Sequence, residues 1–245
     1  TGWQVPLGSD VVLCFLIGRI AFGAGHPALH LLLLLTIATD ILALLIAGLT
    51  VALTLIISAA AAYVFAQVRF FGLKMVQSYL FLGVVFPFAT AILPLFIKVR
   101  DLGLLDSYWA VVLPQSAFGL SLSILLFKTF FEQLPKELFE AAYVEGCGYV
   151  QFFFRFTLPL STPILATVGV FTFVSSWNNF LMPLVVINSR ELYTWPLGMM
   201  QFRGEFLVEW NRTLAFITLT ILPAIGFFFA AQKYIVAGLT GGAVK

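Results

Sequence analysis

Few side chains in this 245-residue sequence could do chemistry, and their spacing narrows what that chemistry is. His26 and His30 stand four apart with no acid or cysteine beside them, so no metal site is expected and a surface or interfacial place suits them better. Cys14 and Cys147 are far apart and lack CxxC spacing, which argues against a disulfide framework and a zinc site and leaves two free thiols. No Ser, His and Asp set and no paired carboxylates fall together, so no catalytic residues are assigned. No GxxxxGK[ST] phosphate loop occurs, and the glycine-rich residues 238–245 lack its order. The chain is not read as an enzyme and binds no cofactor of its own.

What chemistry remains lies in two polar patches. The first is Leu134-Pro135-Lys136-Glu137-Leu138-Phe139-Glu140-Ala141-Ala142-Tyr143-Val144-Glu145-Gly146-Cys147-Gly148, too polar to cross a membrane and too patterned for a plain loop. Pro135 suits the first turn of a helix, where a missing N–H costs nothing, and Gly146 and Gly148 can take the positive φ that ends a helix and turns the chain. Two short helices with a bend are expected. Leu138, Ala141, Ala142 and Glu145 recur at spacings of three and four, giving a side with small residues for close approach by a partner. The second patch, Trp177-Asn178-Asn179, interrupts an apolar run; such amides either hydrogen-bond another helix or line a path through the protein.

The elements that must position these patches are membrane spans. Hydrophobic residues make up 61% of the chain and charged residues 10%, with mean hydropathy +1.05, far too apolar for a soluble domain. Apolar runs at 42–65, 75–97, 108–131, 158–187 and 214–236 are each long enough to cross a bilayer. The expected fold is thus all-α, a polytopic transmembrane bundle of five clear spans with a sixth within residues 1–41, where Arg19 and Asp40 interrupt the apolar stretches. Residues 1–41 are set apart as an N-terminal segment and 42–245 as one membrane domain; Asp40 and Arg19 are expected at an interface and receive no role. A chain that begins at Thr1 leaves its native start open, and no signal-peptide pattern is seen. The net charge of +2 is scattered, which gives no footprint for nucleic acid. Arg69, Lys74, Lys128, Lys136, Arg155 and Lys233 bias one set of loops slightly basic, placing the 133–157 loop on the cytoplasmic side.

Glu140-Ala141-Ala142, three residues, Gly146, nine residues, Phe156, one residue and Leu158-Pro159 together form a pattern. In it the sequence resembles the membrane subunits of bacterial binding-protein-dependent ABC importers. Further points of resemblance to the carbohydrate-uptake branch follow in order: Ala61-Ala62-Tyr63, Arg69-Phe70-Phe71-Gly72, Leu102 to Ser107, Trp177-Asn178, Pro183-Leu184 and Val236 to Lys245. The resemblance covers residues 42–245 and leaves 1–41 unmatched. Glu145, Cys147 and Gly148 stand where the family commonly has Asp, Ala and Ser.

The resemblance implies a cytoplasmic coupling helix in the 133–157 loop, with Glu140, Ala141, Ala142, Gly146, Leu158 and Pro159 as the coupling residues. It also implies partners: a second, homologous permease subunit, two cytosolic ATPase subunits that use ATP and Mg, and an external solute-binding protein. The protein would sit as a multi-pass protein in the cytoplasmic membrane of a prokaryote and import a sugar, oligosaccharide or polyol phosphate by alternating access. In that setting Trp177, Asn178 and Asn179 become candidates for the solute path, since amides and aromatic faces suit a sugar's hydroxyls and ring. The alternative is a stand-alone secondary transporter or channel. That reading calls for carboxylates within the spans and internal repeats; runs 42–65, 75–97 and 214–236 hold no Asp or Glu, and no repeat is found.

Overall fold

The computed structural model describes residues 27–202, and from there to the C-terminus residues 213, 214, 216–218, 220, 221, 225, 226, 229 and 232. Its regular elements are helices: α1 Pro27–Gln67, α2 Leu73–Val85, α3 Phe88–Asp101, α4 Trp109–Phe131, α5 Lys136–Val144, α6 Tyr149–Leu160, α7 Thr162–Trp177, α8 Leu181–Val186 and α9 Trp195–Gly198. Among the described residues α1 (from Thr36 to Gln67) and α4 are each long and apolar enough to cross a membrane; counting each of two bent pairs as one span raises the number to four.

α1 carries the packing. It runs unbroken through residue 42, where the sequence suggested a boundary, and its 41 residues extend about 62 Å against the ~30 Å of a bilayer core. Residues 1–26, with Arg19, His26 and Cys14, lie outside the described residues. Thr36, Thr39, Ala43, Ala47, Thr50, Thr54, Ser58 and Ala62 follow each other at three or four residues and are all buried. Leu34, Ile41, Leu45 and Ile56 point the other way and are exposed. Small side chains inside and large apolar ones outside is the arrangement expected in lipid, where close backbone approach holds helices together. Hydroxyls on this stripe bond back to their own helix, Thr39 to the Thr36 carbonyl at 3.0 Å and Thr50 to that of Ile46 at 2.8 Å. Asp40 is half-buried on α1, its Oδ1 without a hydrogen-bond partner among the described residues.

Against this stripe lie α4 and α7. At Gly119 and Gly169 the helices are in ordinary contact: a Cβ at Gly119 would sit 3.6 Å from Thr54 Cγ2, and one at Gly169 3.7 Å from Leu55 Cδ1. Ala43 and Ala47 pack with Phe173 and Trp177 of α7. The two ends of the bundle have separate cores. One gathers Ala59, Ala62, Phe127, Phe131, Ala142 and Phe152, and the other Ile46, Val99, Val111, Met182, Val186 and Leu197.

Two expected straight spans are broken. The 75–97 run splits into α2 and α3, which meet at 105°. Pro87 forces Phe86 into an extended conformation (φ −76°, ψ 119°), and a helix cannot pass through it. The 158–187 run is divided at Ser161, where α6 and α7 meet at 76°, and again at residues 178–180. Pro159 cannot donate to the Arg155 carbonyl, and the helix widens into a π turn over Phe153–Thr157 before it bends. Of the 214–236 run, the described residues are helical; 233–236 lie outside them.

Ala47→Leu should overfill the contact between α1 and α7 and lower stability by about 1–3 kcal/mol. Ile56→Leu, on the exposed side, should stay within about 0.5 kcal/mol of the parent. Thermal unfolding of both variants in detergent checks the pair; equal melting temperatures would mean the stripe does not hold the bundle.

Candidate functional site

Three places combine polar groups with defined geometry. The first is α5. Pro135 precedes it in an extended conformation, and Gly146 ends it at φ +83°. The Gly146 N–H donates to the Tyr143 carbonyl at 3.0 Å and the Cys147 N–H to that of Ala142 at 2.9 Å, the paired bonds of a Schellman cap. Gly148 departs from expectation. It is extended (φ −75°, ψ 167°) and starts α6, its carbonyl accepting the Phe152 N–H at 2.9 Å. The bend needs one left-handed residue because the second helix begins from an ordinary extended one.

α5 has two faces, and they divide differently from the sequence grouping. Leu138, Phe139 and Ala142 turn inward onto the core that holds Phe127, Phe131 and Phe152. Glu137, Glu140, Ala141, Val144 and Glu145 are exposed, Val144 at 87% of its surface. The inward face is held by rings. Phe139 meets Phe152 edge-on at 5.0 Å and Tyr149 at 5.2 Å, and Phe152 stacks on Phe156 at 5.2 Å. The Tyr63 hydroxyl, at the end of α1, donates to the Tyr149 carbonyl at 2.8 Å, and its ring lies 4.9 Å from Phe153. The loop is thus joined to α1, α4 and α6 at once. Leu158 packs on the same core, whereas Pro159 is exposed and acts on the shape of α6. Cys147 is a half-buried free thiol.

The second place is a cavity of about 340 Å³ between α1, the α2–α3 bend, α4 and α7. Phe86, Phe88, Phe118 and Phe171 line it together with Gln115, Thr172, Ser175, Ser176 and Asn179, and none of its lining residues is charged. The Ser176 hydroxyl donates to Gln115 Oε1 at 2.6 Å, which leaves the buried Gln115 Nε2 without a partner among the described residues. Of the three residues singled out in the sequence, Asn179 alone reaches this cavity. Trp177 is 2% exposed and stacks on Phe173 at 5.8 Å, with the Trp195 indole N–H donating to its carbonyl at 2.7 Å. The Asn178 side chain donates to the Val174 carbonyl at 2.9 Å, closing the end of α7. Gln115, Thr172 and Ser176 went unremarked in the sequence, although isolated polar residues inside apolar spans were the available signal.

The third place is at the far end of α4 from α5. Gly103 (φ +67°) ends α3 in a second Schellman cap, its N–H donating to the Arg100 carbonyl at 2.9 Å and that of Leu104 to Val99 at 3.0 Å. Asp106 then takes a left-handed conformation (φ 59°) and donates its N–H to the Val186 carbonyl at 2.9 Å. Its Oδ1 accepts the N–H groups of Asn188 at 3.0 Å and Ser189 at 2.9 Å, and its Oδ2 accepts the Ser189 hydroxyl. These bonds, the Ser189 hydroxyl first, hold the Asp106 carboxyl below its ordinary range. The fold therefore favours the charged form. That contribution is present above the unfolded carboxylate pKa and is lost as pH falls through the lowered folded value.

The chain is similar to known proteins. The profile of the family described as binding-protein-dependent transport system inner membrane component matches residues 56–241. The "Probable ABC transporter permease protein YurM" of Bacillus subtilis is 37% identical over 201 residues, 82% of this chain and 67% of that protein. The arabinooligosaccharides transport system permease protein AraQ of Halalkalibacterium halodurans is 35% identical over 195 residues, 80% of this chain and 69% of that protein. In fold, the chain is similar to a crystal structure of a bacterial ABC transporter involved in the import of the acidic polysaccharide alginate. The TM-score is 0.70 at 22% identity, over 82% of this chain and 75% of that one. With the match beginning inside α1 and taking in α5, most of the cavity lining and the Asp106 turn, the chain belongs to the family of inner membrane components of binding-protein-dependent transport systems.

Proposed function

We propose that this permease carries a carbohydrate through the cavity at Asn179 and that α5 is the helix through which a cytosolic ATPase drives it. The observation that carries the reading is the two-sidedness of α5. Its Glu140 and Ala141 face is free to meet a partner, while its Ala142 face is locked by the Phe139, Phe152 and Tyr63 contacts into three other helices. A push on the outer face moves the end of the bundle as a block, since packed rings have discrete arrangements and do not deform continuously. ATP is bound and hydrolysed, with Mg, by the partner, and the two states of the bundle alternate the cavity's access. The 133–157 loop then lies in the cytosol. The Asp106 turn, at the other end of α4, faces the external binding protein. A second permease subunit completes the path.

The cavity wall supports a neutral sugar. Four phenylalanine rings suit the apolar faces of a pyranose or furanose, and Gln115, Thr172, Ser176 and Asn179 supply hydroxyl and amide partners without a charge. The unpartnered Gln115 Nε2 is a donor awaiting an acceptor such as a sugar oxygen. A name among the relatives, that of the arabinooligosaccharide permease protein, points the same way.

In proteoliposomes holding the complete transporter, Glu140→Lys should reduce both uptake and ATP hydrolysis at least about tenfold, with membrane insertion unchanged because Glu140 is exposed. Gly146→Val should do the same, since a side chain at positive φ costs roughly 1–2 kcal/mol at this turn. Normal rates in both variants would end the coupling assignment. Phe152→Ala should leave the ATPase docked but uncoupled, lowering stability by about 3–5 kcal/mol and speeding tryptic cleavage at Lys136. For the cavity, Gln115→Ala and Asn179→Ala should each raise the half-saturation concentration two- to tenfold, roughly one neutral hydrogen bond. Labelled arabinotriose, maltotriose and glycerol 3-phosphate are the probes, and transport of the phosphate alone would reject the neutral-sugar reading.

A further inference from the structure

We infer that Asp106 is a positioning residue: its clasp on residues 186–189 fixes α8, and through α8 it fixes Asn179 at the cavity wall. α8 has six residues, too few to hold themselves helical, because nucleation is unfavourable and the first N–H groups of a helix have no partner within it. Pro183 removes a donor as well. The short helix must therefore be held from outside, and it is held in three places. Met182 and Val186 are wholly buried against Val99, Ala110 and Val111. Asn179 Oδ1 accepts the Met182 N–H at 3.1 Å and so caps the end beside the cavity. At the other end Asp106 contributes four hydrogen bonds, its own N–H to the Val186 carbonyl and its carboxylate to the Asn188 N–H, the Ser189 N–H and the Ser189 hydroxyl.

The turn that presents Asp106 is itself fixed. Gly103 closes α3, Leu104 packs on the core around Val99, and the Ser107 hydroxyl donates to the Leu104 carbonyl at 2.6 Å. The left-handed backbone at Asp106 is one that aspartate tolerates better than most side chains, and it turns the N–H and the carboxylate toward the same segment. Loosening this clasp frees one end of a rigid piece whose other end carries Asn179. The functional meaning of the link rests on the proposal that the Asn179 cavity is the solute path; the link itself does not.

Residue-resolved hydrogen exchange on the complete transporter in lipid nanodiscs tests it without any solute. Asp106→Ala should speed exchange at the Met182 amide about tenfold along with that at Asn188 and Ser189. Asp106→Asn, whose amide oxygen still accepts from both backbone N–H groups, should keep Met182 within about threefold of the parent. Ser189→Ala should give a smaller rise than Asp106→Ala and provides the measurement if that variant does not assemble. Phe152→Ala, at the opposite end, serves as a control for general loosening and should speed exchange mainly in α5 and α6, with a smaller rise at Met182 than Asp106→Ala gives. A rise confined to Asn188 and Ser189, no rise at all, or an equal rise at Met182 in Phe152→Ala would each overturn the inference. Because the readout needs no transported molecule, a failure of the carbohydrate reading leaves it standing, and its own failure leaves that reading intact.

Discussion

How closely α1 lets its neighbours approach sets what the rest of the bundle can do. In lipid there is no water to expel from between helices, so association depends on van der Waals contact and on hydrogen bonds within the protein. The stripe from Thr36 to Ala62 meets that demand with alanines and with hydroxyls such as that of Thr50, which bonds back to Ile46, while Leu34, Ile41, Leu45 and Ile56 face outward. α4 and α7 both rest on this one stripe, α4 through Gly119 at Thr54 and α7 through Phe173 and Trp177 at Ala43 and Ala47. The cavity opens beside the same helices, where Thr50 of the stripe, Gln115 and Ser176 are brought together.

Breaks in the spans are the second constraint, since every backbone group freed inside a membrane needs a new partner. The two asparagines after Trp177 answer this directly: Asn178 donates back to Val174, and Asn179 accepts from Met182. Asn178 thus bonds within its own helix rather than to another one. Asn179 caps the break and, because the break lies at the cavity, also lines it.

The α5 segment, its end at Gly146 and its bend are legible in the sequence, because a turn residue and a polar pattern are local signals. The small-residue stripe on α1 is equally local, at spacings of three and four, but mean hydropathy does not separate its threonines and serine from the run around them. The 105° bend at Pro87 is hidden for another reason: the 75–97 run carries no charge, and hydropathy does not register direction. The inward turn of Trp177 onto Phe173 and Trp195 could not be read locally, since Trp195 is 18 residues away and meets it only after the chain has folded back through α8. Either Gly146 or Gly148 can take the positive φ on sequence grounds, and the Schellman cap at Gly146 meets the need.

The two short helices show one physical solution used at both ends of α4. Neither α5 nor α8 is long enough to be stable from its own hydrogen bonds, and each is fixed by a cap and by one buried face. A helix so held moves only with what holds it. α5 is anchored on rings from α1, α4 and α6, and its outer face is free, which makes it a place where force can enter. α8 is anchored at one end by the charged Asp106 and at the other by an amide on the cavity wall, which makes it a place where position is passed inward. Longer helices in these positions would hold their own shape whatever their ends did. Their shortness is what ties the two loops to the interior.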